Sequence, residues 1–123
     1  AKAISPAIKI IGVQSEAAPA AFRSWQKRRL VVDRMQTVAE GLATRTAFEL
    51  PQQILWRWLD DFVLVGDDEI RAAQALMIEA TRNLVEAAGA APLAGPHALV
   101  EVPACAERRA AVTRRRAGAA GRD

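Results

Sequence analysis

Cysteine occurs once in this 123-residue chain, at Cys105, so no internal disulfide can form and a reducing cytoplasmic setting is expected. No apolar run approaches the ~18 residues needed to cross a bilayer, and no leader with a charged start and an apolar centre opens the chain. Neither a phosphate loop nor a dinucleotide-binding glycine pattern is present, and no nucleophile sits beside a base in a known spacing. His97 and Cys105 stand apart without a second ligand pair, so no metal site is expected. The body of the chain also lacks excess charge. Residues 1–91 carry eleven Lys or Arg against eleven Asp or Glu, whereas residues 92–123 carry six Arg against three acids and supply the whole net charge of +3. A basic nucleic-acid face on the body is therefore not expected. The alternative it leaves is a non-enzymatic α/β binding module with an Arg-rich, nucleic-acid-binding tail.

What is present alternates between short apolar runs and amphipathic stretches. Ile8–Val13 and Phe62–Val65 are rich in Ile, Val and Leu and read as strands of a parallel sheet, the first buried on both faces. Ala18, Ala21, Phe22 and Trp25 share one face of a short helix that ends in the cationic run Lys27-Arg28-Arg29, read as a solvated helix end. Pro51 suits the first turn of a second helix through Trp58. Trp56 and Trp58 diverge on that helix, so one is expected at the surface or an interface. Asp60 and Asp61 read as solvated acids of a helix-to-strand loop, not as an acid/base or metal pair. Ile70, Ala73, Met77, Ala80, Leu84 and Ala87 then recur at helical spacing, which predicts one long helix from Asp67 to Gly89. Asp67, Asp68 and Glu69 suit its positive end, and Gly89 suits its stop. After Ala91, three prolines and an Ala/Arg/Gly-rich run predict weak helix or disorder over 92–123. The order is α/β, but two strands are too few for an independent sheet. A fragment of a larger domain is the expectation, and a start at Ala1 instead of Met suits a processed or truncated piece.

Four stretches in order give the chain a resemblance. Ile10-Ile11-Gly12-Val13-Gln14-Ser15-Glu16-Ala17-Ala18-Pro19-Ala20 resembles the strand and turn that follow the glycine-rich loop of threonine/serine ammonia-lyases (dehydratases). Ala39-Glu40-Gly41-Leu42-Ala43-Thr44 is similar to that family's Ala-Asp/Glu-Gly segment. The run Asp60 to Ile70 is similar to its aspartate pair, strand and helix start, and Asn83 to Ala91 to its Glu-x-x-Gly-Ala. These are pyridoxal-phosphate enzymes of the tryptophan-synthase-β-like fold (fold type II), and the resemblance covers about residues 1–91.

The resemblance implies a fragment of an enzyme that converts L-threonine or L-serine to a 2-oxo acid and ammonia, with pyridoxal phosphate as cofactor. It implies an amino-acid substrate, a homo-oligomer when complete, a cytoplasmic location and a place in amino-acid metabolism such as isoleucine biosynthesis. By the same resemblance Gly41 brings backbone near the cofactor, Glu86 reaches the edge of the site from the last helical turn, and Thr44 lines the substrate side. The Schiff-base lysine is expected upstream, since Lys2, Lys9 and Lys27 do not match the family's lysine motif; no catalytic residue is assigned here, and this chain alone is expected to be inactive. Some relatives bind a divalent cation after the first strand, but the matching positions, Gln14 and Ala20, depart from that pattern and no metal is expected. The family's Ser-Gly-Gly-Asn strand end is absent after residue 91. Ala106 to Arg109 can be encoded by GCT-GAG-CGG-CGG, one choice among degenerate codons, and those letters read one nucleotide later contain CTG-AGC-GGC-GG, or Leu-Ser-Gly-Gly. A frameshift near Pro92 is thus expected to have replaced family sequence by a non-family tail; an encoding DNA with no Ser-Gly-Gly in the alternative frame would rule this out.

Overall fold

The computed structural model describes residues 1–99. In chain order the elements are β1 (Ile11–Ser15), α1 (Ala20–Lys27), a single 3-10 turn (Glu40–Leu42), α2 (Glu49–Trp58), β2 (Asp61–Val65), α3 (Asp67–Thr81) and α4 (Ala87–Leu99). β1 and β2 pair in parallel, from Ile11 opposite Asp61 to Ser15 opposite Val65. Strand alternation then sorts the side chains into two layers. Phe62 meets the edges of Phe22 and Trp25 of α1 at 5.7 and 6.0 Å between ring centres. Val13 and Val63 face the other way, toward α4, where a Cβ on Gly95 would lie 2.7 Å from Val13 Cγ2 and 3.7 Å from Val63 Cγ2. Gly95 is therefore the point at which a helix backbone rests directly on the sheet. Val65, Ile70, Ala73, Ala90, Ala91 and Ala94 form the core between β2, α3 and α4.

Several expectations are met and several corrected. Trp56 and Trp58 do diverge: the Trp56 indole N–H donates to the Ser24 carbonyl at 3.1 Å, while Trp58 is 46% exposed under Arg57. The cationic run is not merely solvated. α1 ends at Lys27, Arg28 turns left-handed at φ 51°, and its guanidinium donates to the Trp56 carbonyl at 2.7 Å while stacking on Trp25. Arg28 thereby clamps α1 to α2 and satisfies a carbonyl near the end of α2. Nor is the first strand buried on both faces. It begins at Ile11, with Ile8 and Ile11 both more than 40% exposed, because β2 is its single neighbour among the described residues. Asp60 is more than a loop acid: it accepts the Lys2 ammonium at 2.5 Å and the Ile10 N–H at 2.6 Å, tying the leading segment to the start of β2. The Lys2 bond first, and the Ile10 N–H next, hold its carboxyl below the ordinary aspartate range.

The single long helix is two helices. α3 stops at Thr81, Arg82 adopts φ 60°, and residues 82–86 fold back before α4 begins at Ala87. Leu84, expected on the buried face, lies in this connection and is 88% exposed. Gly89 is inside α4 and stops nothing. α4 also runs straight across residue 91, through Pro92 and Pro96. Each interior proline removes a helix hydrogen bond, but the two lie four apart on the exposed face, opposite Ala90, Ala91, Ala94 and Gly95. That small-residue face permits close packing on α3 and the sheet, and tertiary packing overrides the local penalty. Residues 92–99 are thus helical and not a weakly structured tail. The Arg-rich run, Cys105 and the codon-shift segment lie outside the described residues, as does the His97 side chain. Among the described residues no helix is long and apolar enough to cross a membrane.

Candidate functional site

The site is assembled by Asp67, the first residue of α3. Gly66 caps the helix without a side chain, so only half of a capping box is possible: Glu69 Oε2 accepts the Gly66 N–H at 2.8 Å. Asp67 is left to look sideways. Its Oδ1 accepts the Thr37 hydroxyl at 2.6 Å and the Ser15 hydroxyl at 3.1 Å, and its Oδ2 accepts the Val38 N–H at 2.9 Å. One carboxylate therefore joins the end of β1, the loop at 37–38 and the start of α3. Thr37 passes the constraint on, since its hydroxyl oxygen also accepts the Ala39 N–H at 3.1 Å. Burial pushes the Asp67 carboxyl up, but the bonds from Thr37, Val38 and Ser15, with Arg71 nearby, outweigh it and leave the group below the ordinary aspartate range.

The loop so fixed leads into the 3-10 turn that carries Gly41. No glycine among the described residues has a positive φ, so Gly41 is required for space and not for torsion. A Cβ there would fall 2.8 Å from the Ala88 Cβ and 3.6 Å from Glu86 Oε1. Gly41 and Glu86, both singled out from sequence, are thus brought together. Glu86 does not sit in a last helical turn as expected. It precedes α4, its carbonyl accepts the Ala90 N–H at 3.1 Å, and its carboxylate lies at the positive end of that helix. The reason is the break at Arg82, which converts the end of one helix into the start of another.

Beside this contact lies a cleft of about 340 Å³, walled by Val38 and Glu40, by Arg71 and Gln74 of α3, and by Glu86 to Ala88. Arg71 is paired with Asp68 at 3.1 Å. Thr44, the third residue singled out, is half-buried beyond the 3-10 turn with its N–H on the Leu42 carbonyl, and it is not among the residues lining the cleft. Asp67, Arg71 and Gln74 were not singled out as site residues. The partners of Asp67 and Gln74 lie far away in sequence, Arg71 pairs locally with Asp68, and only an acid-rich helix start hinted at Asp67. The Glu86 carboxylate lines the cleft and Gly41 packs on Ala88 of its wall, an arrangement compatible with one edge of a cofactor site. It does not fit a whole one, because no lysine lines the cleft and Lys2 is engaged by Asp60. The buried Gln14 accepts the Phe22 N–H at 3.0 Å and caps α1, whose N-cap Pro19 offers no side-chain bond.

Comparison with known proteins bears on this geometry. The pyridoxal-phosphate dependent enzyme family matches residues 1–113. The chain is similar to an L-threonine ammonia-lyase of Geobacter sulfurreducens, 41% identical over 90 residues that make up 72% of this chain and 22% of that protein. It is similar in structure to the processed form of threonine deaminase isoform 2 from Solanum lycopersicum, with TM-score 0.73 and 33% identity over 76% of this chain and 28% of the other. A serine racemase from Dictyostelium discoideum matches with TM-score 0.70 and 30% identity over 76% of this chain and 29% of the other. The chain thus spans less than a third of the length of each of these relatives.

Proposed function

The chain belongs to the family of pyridoxal-phosphate-dependent enzymes, its fold being a piece of the fold type II domain, and we propose that it is the central-to-C-terminal portion of a threonine/serine ammonia-lyase. The complete enzyme takes L-threonine or L-serine to a 2-oxo acid and ammonia, and its cofactor supplies the electron sink for the carbanion formed at the α-carbon. In this reading Gly41 offers bare backbone to the cofactor, Glu86 places a carboxylate at its edge, and Thr44 stands on the substrate side. The observation that carries the proposal is that Glu86 lines the cleft with its carboxylate beside Gly41, which packs on Ala88 of the same wall. The portion of the catalytic domain present here runs at least through α4, since Ala94 and Gly95 pack on the core and sheet. Leu50, Ile54 and Trp58, spaced four apart along α2 and 46–69% exposed, form a stripe that the remainder of the enzyme covers. A cytoplasmic homo-oligomer serving amino-acid metabolism, isoleucine biosynthesis included, completes the proposal.

The test is a chimaera. The matching segment of the Geobacter L-threonine ammonia-lyase is replaced by residues 1–99 of this chain, so that α4 is kept whole, and 2-oxo acid formation from L-threonine and L-serine is measured. Activity within about tenfold of the parent is expected, a loss of roughly 1.4 kcal/mol in transition-state stabilisation. A folded, cofactor-loaded chimaera without 2-oxo acid production would refute the proposal. Conversion of L-serine to D-serine in its place would favour racemase chemistry, which the similarity to the Dictyostelium protein brings into view.

A further inference from the structure

Residues 82–86 cross between α3 and α4 without regular structure, yet they deliver Glu86 to the cleft. The start of the crossing is held by local bonds: the Arg82 N–H reaches the Ile78 carbonyl at 2.9 Å, and the Asn83 N–H reaches the Thr81 hydroxyl at 3.3 Å. Leu84 then stands in solvent and anchors nothing. At the far end, the half-buried Gln74 reaches out from α3 and its side-chain N–H donates to the Val85 carbonyl at 2.6 Å. This bond spans eleven residues and fixes the peptide immediately before Glu86.

We propose that Gln74 is the positioning residue for Glu86: by holding the Val85 carbonyl it sets where the Glu86 carboxylate stands beside Gly41. This builds on the assignment of the cleft made above, but its physical content does not need turnover. Three things follow from the geometry. The bond joins a rigid helix to an irregular crossing, so its loss frees the crossing more than the helix. The next anchor after Val85 is the Ala90 N–H on the Glu86 carbonyl, and it loosens with it. Gly41 is untouched, because Asp67 and Thr37 hold its loop from the other side.

The test uses the full chain, isotopically labelled, with Gln74→Leu and Gln74→Lys. Leucine keeps the bulk and removes the donor; lysine keeps an N–H donor of comparable reach. In Gln74→Leu, exchange of the Ala90 amide is expected to quicken about fivefold to tenfold, as loss of a bond worth ~1 kcal/mol implies. The nuclear Overhauser contact between Gly41 Hα and the Glu86 side chain is expected to fall below half. Amides of β1 and β2 keep their rates, and Gln74→Lys keeps both signals. An unchanged Gly41–Glu86 contact in Gln74→Leu would overturn the proposal. So would equal quickening at Ala90 and throughout β1 and β2, which marks a purely structural role, or a lysine variant as loose as leucine. An inactive chimaera alongside the expected exchange pattern would fault the functional assignment of the cleft and leave the positioning role standing.

Discussion

Replacing Asp67 by alanine is expected to destabilise the fold by about 2–4 kcal/mol, lowering the melting temperature by on the order of 10 °C or more. The variant deletes a carboxylate that accepts three bonds, from Thr37, Ser15 and the Val38 N–H. Bonds to a charged acceptor contribute roughly 1.5–3 kcal/mol each, but they share one partly exposed group, so the sum is not additive. Asp67→Asn keeps an acceptor oxygen and removes the charge, and about half the loss is expected. The pH dependence has a definite sign. The folded carboxyl titrates below its ordinary value, so its contribution is present in full above the unfolded pKa of about 3.9 and is lost as pH falls from there through the folded value. Wild type and Asp67→Ala should therefore differ most near neutrality and converge on acidification. Thermal melts at pH 7 and at the lowest pH the wild type tolerates check this. Equal melting temperatures at pH 7, or a gap that widens in acid, would show that the carboxylate does not hold the site together.

That hub also shows where sequence reasoning reached and where it stopped. Local periodicity found β2, α1 and α2 within a few residues, because each buries a face set by its own side chains. It failed at Arg82, since the helical spacing of Ile70, Ala73 and Met77 continues past the break into Leu84 and Ala87. Nothing local announces a left-handed arginine; the turn is imposed by α4 packing back on α3. It failed again at Pro92 and Pro96, where a face of small residues makes a proline-bearing helix worthwhile only once the sheet is there to receive it. Gly41 and Glu86 were found by resemblance and are joined by the fold. Gln74 and Asp67 act through bonds to residues eleven to fifty-two positions away, a range over which one sequence carries no pairing signal.

Supplied with pyridoxal phosphate and L-threonine, the 123-residue chain by itself is expected to form 2-oxo acid no faster than the free cofactor does. A complete enzyme of this kind is expected to exceed its uncatalysed reference by roughly 10⁶-fold or more. Most of that factor needs a cofactor held in one orientation, and the chain offers no covalent hold. Its three lysines are Lys2, Lys9 and Lys27; Lys2 is bound by Asp60, and none of the three lines the cleft. Glu86 and Ala88, against which Gly41 packs, shape one wall, with the Arg71 guanidinium and the Glu40 carboxylate nearby, so a cofactor entering the open cleft is neither fixed nor shielded from water. Borohydride trapping followed by peptide mapping should find sub-stoichiometric label scattered over the lysines. Stoichiometric label on one lysine together with turnover of threonine would show that the chain carries a working anchor after all, and the partial-site assignment would have to give way to a complete one.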